Sequence, residues 1–446
     1  MDNMLERFQN VFKIPELKKR IYFTMGIIIV YRLGGHIPSP GIDPVALGEY
    51  LRQQSGTLLA LYDMFSGGAL GRATVFSLGI MPYISASIIL QLAGATMPYF
   101  QRLQKEGEEG RRKITQYTRY GTVLICALQA WGVSVWLQNL VTASGLQVVP
   151  RTGLGFSMLT ILSFTTGTIF IMWLGEQITD RGIGNGISLI IYIGIVAVFP
   201  IAVIDELRQL AAGNKTLITL VLTFLLMYVV TMGAVLLTQG VRKIPVQYAK
   251  RVVGRKMYGG QSTHIPLRIN TAGVIPIIFA QALIFLPQTA LTFWPNNPIF
   301  QVMQGWFSYT SPVYWTLYSI LIVFFAFFYT AVVFNPVELA ENMKKYGGFI
   351  PGIRPGKKTA EYVERVLARV TLPGAIGLAA LSVLPYMLVA YFNLSISMTD
   401  FFGGTGLLII VGVALDTLQQ MESHLMMRHY EGFTRTGRIK GRIGRG

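Results

Sequence analysis

Side chains able to do chemistry are few in this chain, and their spacing does not gather them. Among 446 residues there is one cysteine, Cys126, and there are four histidines, His36, His264, His424 and His429. A lone cysteine excludes a disulfide framework and any multi-cysteine metal centre, and inside an apolar stretch it reads as an inert small hydrophobe. His424 and His429 stand five apart, off a shared helical face, and no HExxH-type pattern occurs, so no metal ion or other cofactor is expected. The glycine-rich Arg181–Gly186 (RGIGNG) has the composition of a phosphate cradle. It lies between two apolar stretches, without the strand–turn–helix setting a cradle needs, and reads as a tight turn capping two helix ends. No catalytic dyad falls inside the apolar stretches and no nucleotide-binding motif occurs, so an enzyme is not expected.

What recurs instead is isoleucine. Ile80 and Ile84 are four apart on one helical face, Ile187 and Ile191 repeat the spacing, and Ile278 and Ile409 lie in two further apolar stretches. Packing alone accounts for such positions in an apolar bundle, but an apolar constriction can also gate a pore by excluding water and ions. Ser85, Ser87 and Gln91 share a stretch with Ile80, and Asn270 and Thr271 open another. Interhelical hydrogen bonds inside a membrane are worth only ~0.6–2 kcal/mol, which serves either as ordinary glue or as an interface that opens.

The elements that carry these residues are membrane helices. Hydrophobic residues make up 52% of the chain, charged ones 13%, and the mean hydropathy is +0.49. A soluble domain carries about 25% charge, which excludes a soluble enzyme, and a soluble nucleic-acid binder would not be this apolar. Ten spans are expected at about 21–37, 73–97, 118–140, 157–175, 186–203, 216–239, 271–291, 313–334, 371–391 and 403–420. The expected fold is all-α and polytopic. An even count puts both termini on one side, which carries 32 of the 38 Lys and Arg; the other side carries 6. The positive-inside rule makes the rich side cytoplasmic. The net charge of +17 then belongs wholly to the inner face, because the outer face balances 6 basic against 6 acidic residues. No cleavable signal peptide is expected, and Arg32 is expected to snorkel to the interface.

Two features depart from a plain bundle. Residues 57–72 form an apolar half-segment, too short to cross, which carries Asp63 and Gly67, Gly68 and Gly71. It is either a re-entrant helix buried in protein or a helix lying on the outer surface. The basic loops 240–270 and 335–370 are far longer than the ~4–6 residues usual in compact folds, which marks them as functional or disordered. Ten spans also divide as five plus five, an inverted repeat. Gly79–Ala86 (GIMPYISA) and Gly273–Ala280 (GVIPIIFA) share GxxPxIxA at an offset of 194, on the second span of each half. A proline inside a span is expected to bend it. The organisation expected is an amphipathic cytoplasmic segment 1–20, halves 21–203 and 204–420, and a basic cytoplasmic tail 421–446. Intramembrane charge is nearly absent (Glu176 and Asp416 lie near cytoplasmic ends), and no TVGYG-type filter occurs. That disfavours the alternative reading, a secondary solute transporter with inverted repeats.

The stretches MFSGGALGRA (64–73), LGIMPYISASIILQL (78–92), EGEEGRRKITQYTRYGT (106–122), WLGEQITDRGIGNGIS (173–188), QSTHIPLRINTAGVIP (261–276) and FNPVELAENMKKYGGFIPGIRPG (334–356) resemble, in order, those of the SecY family. Members are channel-forming subunits of the bacterial protein translocase. The resemblance implies a passive channel in the cytoplasmic membrane for unfolded, signal-bearing polypeptides, with membrane segments leaving sideways between spans two and seven. It implies a pore ring of Ile80, Ile84, Ile187, Ile191, Ile278 and Ile409. It implies a plug at about 61–71, including Tyr62, Asp63, Met64, Phe65, Ser66, Gly67 and Gly68. Ser87, Gln91, Asn270 and Thr271 match the lateral gate. Arg242, Lys250, Arg251, Arg255, Lys256, Arg354 and Lys357 would meet the motor ATPase SecA or the ribosome. SecE and SecG are the implied subunits, signal peptides and preproteins the substrates, and membrane lipids the surroundings.

Overall fold

The computed structural model describes residues 14–53, 63, 66–140, 147–248, 251–253, 256–258, 262–293, 306, 311–392 and 405–436. Helices α1 (Pro15–Gly34), α2 (Pro44–Gln53), α3 (Met81–Thr96), α4 (Pro98–Lys105), α5 (Glu108–Gln138), α6 (Leu154–Arg181), α7 (Gly186–Val196), α8 (Phe199–Ala211) and α9 (Leu217–Gln239) come first. Strands β1 (Val241–Tyr248), β2 (Arg251–Val253), β3 (Lys256–Tyr258) and β4 (Ser262–Arg268) follow. The chain continues through α10 (Ile275–Phe293), α11 (Pro312–Val333), α12 (Pro336–Lys345), β5 (Gly348–Phe349), α13 (Lys357–Phe392) and α14 (Thr405–Thr436). Each expected span overlaps a helix. Among the described residues six helical segments are long and apolar enough to cross a membrane, and two shorter apolar helices, Met81–Thr96 and Ile275–Ile284, coincide with spans two and seven. Residues 15–20 are the opening turns of α1.

Helix starts follow local chemistry. Asn185 accepts a hydrogen bond from the Ser188 N–H and caps α7; Thr216 does so for α9, Ser311 for α11 and Asn335 for α12. Each side-chain oxygen satisfies a donor the first helical turn leaves open. The RGIGNG turn joins α6 to α7 as expected, and is closed by the Gly186 N–H donating to Thr179 Oγ1 at 2.9 Å. A Cβ at Gly186 would run into the Gly175 carbonyl, so the two helices meet backbone to backbone.

One hydrophobic cluster, drawn from α1, α3, α6, α7, α9, α10, α11, α13 and α14, fills the centre. A second, around Cys126, Ala130 and Phe164, packs α2, α5 and α6. Arg119 grips Glu176 with two parallel bonds of 2.9 and 2.7 Å, tying α5 to α6. Lys215 and the fully buried Glu206 pair at 2.8 Å where α8 turns into α9. The Arg32 guanidinium donates to the Ile193 carbonyl at the end of α7.

The two long basic loops are neither separate nor structureless. β1 pairs antiparallel with β4, from Val241↔Arg268 to Gln247↔Ser262, and on its other edge with β5, through Gln247↔Phe349. β5 comes from the second loop, so one three-stranded sheet joins both. Ile244, Val246 and Leu267 of the sheet pack on Met343, Ile350, Val363 and Leu367. α13, with 36 residues, extends ~54 Å, longer than the ~30 Å hydrocarbon core. Its first turns therefore belong to this small α/β unit and its later ones to the central cluster.

Candidate functional site

The site is built from two equivalent joints. In the N-terminal half the Gly79 N–H donates to Phe76 O (2.8 Å), and the Ile84 N–H to Ile80 O. In the C-terminal half the Gly273 N–H donates to Asn270 O (3.4 Å), and the Ile278 N–H to Val274 O. Every member of the second set lies 194 residues after its counterpart. Gly79 has φ +55° and Gly273 φ +62°, a left-handed conformation that only glycine adopts at little cost. That turn stops any helix upstream. The GxxP prolines are therefore not kinks within spans: Pro82 and Pro276 are the second residues of α3 and α10, where the missing N–H costs nothing. The spans start later than hydropathy implies, because residues 73–80 and 271–274 are apolar yet form turns. The likeness extends to the packing. Gly167 of α6 sits directly on the Val75 carbonyl, and Gly374 of α13 sits on the Ile269 carbonyl, where a Cβ would come within 2.5 Å. Residues 75 and 269 are again 194 apart.

The six isoleucines all lie in or against the central apolar cluster. Ile80, Ile84, Ile191 and Ile409 are buried in the central cluster, and Ile187 and Ile278 are half-buried against it. They stand on α3 and the residue before it, α7, α10 and α14.

The described part of the half-segment, Asp63 and 66–72, is held inside the protein. Ser66, Ala69 and Leu70 are buried. The Asp63 carboxylate accepts from the Gly71 N–H at 2.8 Å, and its carbonyl accepts from the Gly68 N–H at 2.7 Å. Burial pushes the Asp63 carboxyl above the ordinary carboxylate range, against the pull of these donors and the Arg72 charge. Arg72 donates to Gly67 O at 2.6 Å and Gly68 O at 2.8 Å, and lies 2.7 Å from His36 Nε2. Tyr31 donates to Ser66 O. Tyr62, Met64 and Phe65 lie outside the described residues. Arg72, His36 and Tyr31 were not legible as partners of this segment; the only hint was the charge of Arg72 beside a glycine cluster.

The polar residues of spans two and seven are not bonded to each other. Gln91 donates to Ser87 (3.1 Å) within α3, Asn270 to Gly273 O (3.0 Å), and Thr271 to Arg268 O (2.9 Å). Each satisfies its own element, and α3 meets α10 through apolar contact. On the α/β unit Arg242, Arg354 and Lys357 are exposed. Arg251 and Lys256 stand on the β2–β3 hairpin, paired with Tyr258 and Val253. Lys250 and Arg255 lie outside the described residues.

The SecY family model matches residues 74–418. The chain belongs to the SecY family. A protein translocase subunit SecY of Aquifex aeolicus is 46% identical over 433 residues, 97% of this chain and all of that one. The Escherichia coli K12 SecY is 45% identical over 437 residues, 96% of each chain. Among solved structures, a protein-conducting channel superposes with a TM-score of 0.67 at 18% identity, covering 96% of this chain and 99% of its own. Sec61 from a canine ribosome–channel complex gives 0.62 at 16% identity, covering 96% and 99%. These two likenesses establish the channel fold, and the close SecY relatives span the same length as this chain.

Proposed function

We propose that the chain is the pore-forming subunit of a protein translocase. It passes unfolded, signal-bearing polypeptides across the cytoplasmic membrane, and releases membrane segments sideways between α3 and α10. The observation that carries this is that six isoleucines, on α3 and the residue before it, α7, α10 and α14, share one apolar cluster next to two equivalent joints. A pore for polypeptides must hold back ions when idle. A charged lining would attract them, whereas branched aliphatic side chains make a bare ion give up its hydration with nothing in return. The same side chains form a compliant collar around chains of varied sequence. The segment around Ser66–Gly68 acts as the plug, and its glycine pair, tied by Arg72, is the point where it swings. An apolar α3–α10 seam opens at modest cost when a signal helix replaces its contacts.

The chain is passive and draws its energy from partners. Both termini and the α/β unit face the cytoplasm, and the halves 21–203 and 204–420 close like two jaws. Arg242, Arg354 and Lys357, exposed on the α/β unit, dock the motor ATPase SecA or the ribosome, whose RNA is a polyanion, and the family resemblance adds Lys250, Arg251, Arg255 and Lys256 to them. The single sheet joining both loops supports one docking surface rather than two. SecE holds the halves together, SecG is peripheral, and the basic tail lies near anionic lipid or RNA.

The test is reconstitution with a SecE-type partner in vesicles, followed by SecA, ATP and an unfolded signal-bearing substrate. Protease-protected substrate is expected; none, with uptake of a small solute, would make the chain a transporter instead. Arg354→Glu is expected to impair motor-driven protection while leaving assembly with SecE intact.

A further inference from the structure

We infer that a polar chamber on the cytoplasmic side of the isoleucine ring binds the basic side chains of the passing polypeptide, with Asp416 as its counter-charge. This rests on the channel reading above.

A cavity of about 400 Å³ lies between the start of α7 and the later half of the membrane part of α14. Its walls are next to the ring. Ser188 directly follows Ile187, Val413 stands one turn beyond Ile409, and Asp416, seven residues beyond Ile409, is ~10 Å along the helix axis. A polypeptide approaching the ring from the cytoplasm therefore passes this chamber last.

The lining decides what it can hold. The start of a helix ordinarily favours an anion, but here side chains already answer the α7 amides. Asn185 Oδ1 accepts from the Ser188 N–H (3.1 Å), Thr179 Oγ1 from the Gly186 N–H, and Gln420 Oε1 from the Gly184 N–H (3.0 Å). These bonds use the amide oxygens and leave the NH₂ groups of Asn185 and Gln420 as donors to a peptide carbonyl. The charge on the lining is the Asp416 carboxylate, whose side chain is 59% exposed. Arg268 approaches it only to 4.0 Å, while giving its good hydrogen bond, 2.6 Å, to Gln419 Oε1. A carboxylate with a loosely held cation, flanked by amide donors, is complementary to a lysine or arginine residue and its backbone carbonyl. An acidic residue would be repelled and a neutral one would gain only the hydrogen bonds. Arg268 is then the internal stand-in that an incoming cation displaces from Asp416.

The test uses the full reconstituted complex with its motor. A preprotein ending in a folded block is stalled with one chosen position in the chamber, in two versions that differ only by Lys or Gln beside a cysteine. Disulfide cross-linking to Ser423→Cys, on the cavity wall, reads occupancy. The Lys version is expected to cross-link more, by a factor up to about fivefold, the reach of a half-exposed ion pair. Asp416→Asn should bring the ratio to one, Arg268→Gln should raise it by removing the competitor, and added salt should lower it in the unsubstituted channel. A Lys-to-Gln ratio of one in the unsubstituted channel, or a ratio unchanged by Asp416→Asn, would overturn the inference. Shifts of the same sign in both variants would also overturn it, because a merely structural role moves both alike. Loss of all protease-protected substrate would count against the channel reading itself and not against the chamber.

Discussion

The two joints share a backbone and differ in what holds them. The turn ending at Gly79 is enclosed: Ser66 lies 3.4 Å from where its Cβ would be, and Thr74 and Ser77 both donate to Ala69 O. Just before it, Ala73 holds a positive φ of +51°, the one such non-glycine residue among those described, and it is buried. Strain of that kind persists only where the surroundings over-determine the backbone. The turn ending at Gly273 has open space at the same place, and its side-chain brace is its own Asn270 amide. The repeat thus supplies one device twice. In the first half residues 66–69 pack on the turn, while in the second half the turn is packed by glycines of other helices, Gly374 on the Ile269 carbonyl and Gly412 on the Val274 side chain.

Six substitutions break or sharpen this comparison. The largest effect is expected where the halves agree. Gly167→Ala and Gly374→Ala each push a methyl group into a backbone carbonyl and should cost about 1–3 kcal/mol, read as lowered thermal midpoints of the purified complex. Similar losses would uphold the repeat, and a loss in only one would break it. Next, Ile84→Ser and Ile278→Ser should each raise resting ion conductance of vesicles. Because Ile84 is buried and Ile278 half-buried, Ile84→Ser should also destabilise more; unchanged conductance would reduce both residues to packing.

Arg72→Gln tests the first joint. Removing charged donors from Gly67 O and Gly68 O should cost about 1.5–3 kcal/mol at most, seen as faster hydrogen exchange at the Gly68 and Gly71 amides with the 270–273 turn unaltered. The smallest effect belongs to the second joint. Asn270→Ala should cost about 0.5–1.5 kcal/mol and speed exchange at the Ile277 and Ile278 amides, leaving the Ile84 amide as it was. Coupled changes at both joints in either experiment would mean that they move as one.

Much of this was legible in the residues. Hydropathy found the six helical segments that, among the described residues, are long and apolar enough to cross a membrane, and the 32-to-6 division of basic residues predicts which face is cytoplasmic. The offset of 194 in GxxPxIxA identified the two joints before their geometry was known. Yet the same motif suggested kinks. Proline within an apolar run reads as an interruption, because hydropathy cannot distinguish an apolar turn from an apolar helix. Likewise the polar residues of the seam, sensible as partners of each other, satisfy their own turns instead. A carbonyl three residues away is nearer than a neighbouring helix.

The sequence by itself therefore determined what depends on consecutive residues: helix positions, the isoleucine spacing and the repeat. Tertiary structure decided what depends on distant ones. Tyr248 pairs with Gly348, making one unit of two loops. Arg72 finds His36, Gly167 finds the Val75 carbonyl, and Arg268 finds Gln419 across 151 positions. Burial and spacing act along a helix and leave a period to read. A single hydrogen bond or close backbone approach between distant segments leaves none.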